Sequence, residues 1–68
     1  MKKDLLLIET CKYMAMGYHS IQIAKFLEVS QTTISSKRKK LRAMNEDEFS
    51  DFFHSHVVQR IPNIYYDD

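Results

Sequence analysis

Residues 20 to 37 constrain this chain more than any other stretch, because their apolar groups are spaced for two short helices meeting at a sharp turn. Ile23, Ala24, Leu27, Val29 and Ile34 recur so that both helices turn small and branched groups toward each other. Tight crossing needs a small residue, and Ala24 stands where the two helices would approach. The polar positions from Ser30 to Ser36, and the run Lys37-Arg38-Lys39-Lys40 after them, are left facing outward.

The flanking sequence supplies further helices. Leu7, Ile8, Cys11, Met14, Ala15 and Tyr18 form one buried stripe, which predicts a first helix from about Lys3 to Met16. Gly17, the single glycine, ends it in a left-handed conformation, and Ser20 caps a second helix over about Ile21 to Leu27. Ser30 caps a third, which extends to about Ala43 with Ile34, Leu41 and Met44 inward. One turn after Ile34 the stripe has a gap, where the alkyl stems of Lys37 and Arg38 must cover the core. Asn45 and Glu48 read as a capping box for a fourth helix over about 46–61, with Glu46, Asp47 and Glu48 favouring its positive end. Phe49, Phe52, Phe53, His56, Val57 and Arg60 share one face of it, Val58 and Ile61 flank that face, and Pro62 stops it. The expectation is one all-α domain, residues 1–61, a bundle of about four helices with a helix-turn-helix on the second and third. Residues 62–68 follow as a short acidic tail.

A chain of 68 residues buries only about 60% of the surface its unfolded form exposes, so a partner or self-association is expected. Net charge is +1 overall but unevenly spread: residues 1–44 carry nine Lys and Arg against three acids, a net of +6, and residues 45–68 carry one against six, a net of −5. A footprint for phosphates is confined to the first part; the second would be repelled by DNA or would cover something basic.

Catalytic and metal chemistry find little support. Cys11 is the single cysteine, reads as a small core group and excludes an internal disulfide. His54 and His56, two apart on a helix, point about 200° apart and cannot share an ion. His56 reads as a hydrogen-bonded member of the apolar face, His54 as an exposed neighbour of Asp51, and His19 as loop filling or a phosphate contact. No Gly-rich phosphate loop or paired inward carboxylates occur, so neither enzyme activity nor a cofactor, metal or small-molecule substrate is expected. The longest aliphatic run, Leu5 to Ile8, is far short of the roughly 20 residues that cross a bilayer. A cytoplasmic protein without membrane attachment is the expectation.

The segment Gly17-Tyr18-His19-Ser20-Ile21-Gln22-Ile23-Ala24, followed by Leu27-x-Val29-Ser30-Gln31-x-Thr33-Ile34-Ser35, resembles the helix-turn-helix of bacterial and phage transcription regulators, sigma-factor region 4 and transposase or resolvase DNA-binding domains. The likeness covers about Leu7 to Leu41. It implies a transcriptional regulator that binds double-stranded DNA, commonly as a homodimer, with the third helix in the major groove. Ser30, Gln31, Thr32, Ser35, Ser36 and Lys39 would then face base edges, Gln31 being suited to adenine and the Thr32 methyl to thymine. Lys25, Lys37, Arg38, Lys40 and Arg42 would grip phosphates. Two positions depart from the pattern: Glu28 stands at the turn where glycine is usual, and Lys37 and Arg38 stand where an apolar residue is often found.

The phenylalanine face of the fourth helix has three readings. It completes the core against Leu5, Leu6 and Ile8, forms a two-fold seam through Phe49, Phe52, Phe53, His56 and Val57, or docks another protein. In the alternative function, the scaffold is an interaction module that binds transcription machinery through the fourth helix and the acidic tail.

Overall fold

The structure, a computed structural model, describes residues 4–61. Within them the chain is all-α, with no strand: α1 (Leu5–Ala15), α2 (Ser20–Leu27), α3 (Gln31–Ala43) and α4 (Glu46–Phe52) form a small helical bundle. The chain continues from α4 through a π-helical turn, Phe53–Val57, into a 3-10 turn, Val58–Arg60. Pro62 and the acidic tail fall outside the described residues, as does the expected helix start at Lys3.

Asp4 starts α1, its Oδ1 accepting the Leu7 N–H at 3.0 Å. The helix closes on Gly17 at φ +95°, where the Gly17 amide donates to the Met14 carbonyl and the Tyr18 amide to Tyr13, both at 3.0 Å. That is a Schellman closure, and α2 ends the same way: Glu28 at φ 56° donates to Lys25 and Val29 donates to Ala24. Each closure is backed by contact between the flanking side chains. The Tyr13 and Tyr18 rings meet edge to face at 5.8 Å, and Val29 packs with Ala24 in the core.

Ser20 is not the cap of α2. His19 holds that place in extended backbone, its amide donating to Gln22 Oε1 at 3.0 Å, and Ser20 is the first helical residue. The caps of α3 and α4 are as expected, with Ser30 Oγ accepting from the Thr33 amide and the Asn45–Glu48 box closed in both directions.

The core has two centres. Ile23, Ala24 and Ile34 form one, beneath Leu6, Tyr13, Tyr18, Leu27 and Val29. Leu7, Ile8, Cys11, Leu41, Val57 and Ile61 form the other, with Met16, Met44, Phe52 and Phe53 against it. Met14 touches both. Since α1 contributes to each cluster, it acts as a wall shared by the α2–α3 pair and α4. Ile34 and Leu41, two turns apart on α3, enter one cluster each.

Three expectations about packing are corrected. The fourth helix is not one regular helix: the π turn widens the backbone, with the Val58 amide reaching the Phe53 carbonyl, and this changes the phase of the apolar stripe. Val57 is thereby wholly buried and belongs to the core, not to a seam. Phe52 and Phe53 complete the core with Ile8 as expected, but they do not cover Leu5 and Leu6, because Leu5 is 56% exposed and Leu6 faces the α2–α3 cluster. Ala15, expected inward, is exposed, while Thr10 is fully buried in its stead.

Candidate nucleic-acid interface

The turn between α2 and α3 sets the site. Ile23, Ala24 and Ile34 are buried, so α2 crosses behind α3 and fixes its angle. With its inward stripe occupied by Ile34 and Leu41, α3 leaves Gln31, Thr32, Ser35, Ser36 and Lys39 exposed on its outer sides. Ser30 differs from the other expected base readers: its hydroxyl lies 2.8 Å from Thr33 Oγ1 and accepts the Thr33 amide, which makes it the cap of α3 as well as an exposed residue beside the row.

The expected phosphate residues separate into two groups. Lys25, Lys40 and Arg42 are exposed. Lys37 and Arg38, in the gap of the apolar stripe, are half-buried and tied to other helices. Lys37 Nζ donates to Asp4 Oδ2 at 3.0 Å, and Arg38 donates through a terminal nitrogen to Ser20 Oγ at 2.6 Å. In the gap of the apolar stripe, two long polar side chains lash α3 to the starts of α1 and α2. Lys37 is therefore a brace rather than a free phosphate contact.

Electrostatics follow this geometry. The Lys37 hydrogen bond, with the Leu7 amide and the nearby Lys40 ammonium at 3.8 Å assisting, outweighs desolvation and holds the Asp4 carboxyl below its ordinary range. Arg38 also lines both of the polar hollows on this side. One lies at the start of α2 beside His19 and Ser20; the other, of about 190 Å³, runs along α3 between Ser35, Lys39 and Arg42. The first amides of α2, which no helix can satisfy internally, and the basic side of α3 thus form one continuous surface.

Asp4 and Ser20 were not among the expected functional residues. Asp4 carries a local signal, an acidic residue directly before an apolar run, which marks a helix start. Its second partner, 33 residues away, has no such signal.

The remaining candidates have simple surroundings. Cys11 is 3% exposed, and burial pushes its thiol up to about 11, which keeps it protonated and unreactive at neutral pH. His56 meets Phe52 at 5.7 Å with the rings tilted by 59°, and exposed His54 meets Phe53 edge to face. Among the described residues no group of three His, Cys, Asp or Glu is placed to hold a metal, and no helix is long and apolar enough to cross a membrane.

Comparison with known protein families gives no match, and neither curated proteins nor solved structures include one that matches this chain.

Proposed function

We propose that this chain is a sequence-specific double-stranded DNA-binding protein that regulates transcription, with α3 lying in the major groove. One observation carries the reading. Gln31, Thr32, Ser35, Ser36 and Lys39 are all exposed along a helix whose inner side is held from behind, and none has a partner among the described residues. A row of short polar side chains serves no packing purpose there, whereas base edges supply the donors and acceptors it lacks. Lys40 and the start of α2 flank the row and suit the phosphates on either side.

Binding to random duplex DNA across a salt series tests the reading. Affinity should fall steeply with salt, and selection from a random pool should return a defined site. Absence of binding even at low salt would overturn it and leave the protein-interaction module as the better account of the scaffold.

A further inference from the structure

An open apolar groove of about 270 Å³ lies between α1, the end of α3 and α4. Cys11, Met14 and Leu41 belong to its lining, with Ala15 on the α1 side and Phe49 and Phe53 on the other. Phe49 and Phe53 stack at 6.0 Å, and Phe49 stays 37% exposed, so the groove carries a protruding ring beside its own hollow. Arg42 is the one charged group in the lining. Glu46 lies one turn before Phe49 on α4, and neither Arg42 nor Glu46 forms an ion pair among the described residues.

We infer that this groove is the seat of a second copy of the same chain, joined about a two-fold axis with Phe49 of each copy in the groove of the other. An isologous interface needs one patch that complements itself, and here knob and hollow share a face. The charges agree: the patch carries an unpaired cation and an unpaired anion, so the two-fold sets Arg42 of one copy against the partner's Glu46 and the reverse. A small ligand fits less well, because Arg42 alone would offer it a polar handle. The seam differs from the one read from the sequence, since Val57 is spent on the core and Cys11, Met14 and Ala15 of α1 enter. Arg42 also lines the cleft along α3, so the pairing sets the two α3 helices near each other at their C-terminal ends. Neither the pairing nor this placement rests on the DNA reading.

Sedimentation of the full chain without DNA, from about 1 μM to about 1 mM, tests it. The mass should rise from one chain to two and no further. Ala15→Arg, which fills the groove from an exposed position, and Phe49→Glu should each weaken association by at least about tenfold while helicity is kept. Arg42→Glu should weaken it, and Glu46→Arg added to it should restore it. A single-chain mass throughout, or Ala15→Arg and Phe49→Glu variants that associate like the unaltered chain, would overturn the inference. Because no DNA is present, a failure of the DNA reading leaves this outcome untouched.

Discussion

Asp4 and Lys37, 33 residues apart, meet at 3.0 Å and bind the start of α1 to the middle of α3. The carboxylate has two duties, since its other oxygen caps α1 through Leu7. Substitution separates them. Asparagine keeps the cap and loses the ion pair, which should cost up to about 1 kcal/mol at this partly exposed site. Alanine loses both, and should cost about 1 kcal/mol more. The folded carboxyl titrates below its ordinary 3.8, so its stabilisation is present above that value and lost as pH falls through the lowered one. Urea unfolding at pH 7 and near pH 2 should show the gap between the original chain and Asp4→Asn narrowing in acid. A gap of equal size at both would mean that the ion pair contributes nothing.

Glu28 occupies in α2 the left-handed position that Gly17 occupies in α1. A side chain in that conformation costs roughly 1–2 kcal/mol, part of which glycine gives back as unfolded-chain entropy. Glu28→Gly should therefore stabilise the domain by about 0.5–1 kcal/mol. Gly17→Ala is the converse: a Cβ there would meet nothing within 4 Å, so any loss comes from backbone strain alone and should be about 1 kcal/mol. Thermal unfolding of the two variants should move in opposite directions.

Helix ends marked by local chemistry were legible in the sequence. Ser30, Asn45 with Glu48, and Gly17 act over three or four residues, so their partners lie within reach of the eye. The Ile23, Ala24 and Ile34 wedge was legible for the same reason, because helical spacing alone brings those groups together. The bracing of Lys37 by Asp4 and of Arg38 by Ser20 was not, since each depends on how separate helices cross. Nor was the π turn over Phe53–Val57, which no local residue signal marks and which brings Val57 into the cluster with Leu7, Ile8 and Cys11 of α1. The candidate interface divides in the same way: the outward row on α3 follows from periodicity, while the bracing of Lys37 and the burial of Val57 follow from partners that periodicity does not name.

Thr10 is fully buried and its Oγ1 has no hydrogen-bond partner among the described residues. An unsatisfied buried hydroxyl costs about 1–3 kcal/mol. Valine has nearly the same shape, and Thr10→Val should stabilise the domain by about 1 kcal/mol. A lower denaturation midpoint for the variant would show that the hydroxyl is satisfied after all.

Lys37 and Lys40 lie beside the same carboxylate yet should answer differently to DNA. Lys40 is 3.8 Å from Asp4 with a side chain 63% exposed, whereas Lys37 is bonded to it and only 19% exposed. Lys40→Ala should weaken binding to every duplex and lower the salt slope by about one. Lys37→Ala should leave that slope unchanged and lower the unfolding midpoint, because what it loses is a brace. Gln31→Ala provides the third signature, a loss of about 1–3 kcal/mol confined to one base pair of the selected site. Salt-dependent anisotropy on the selected duplex and its single-pair variants measures all three. An equal fall in slope for both lysines would return Lys37 to the phosphate contacts, and a Gln31→Ala loss spread over every site variant would remove Gln31 from base reading.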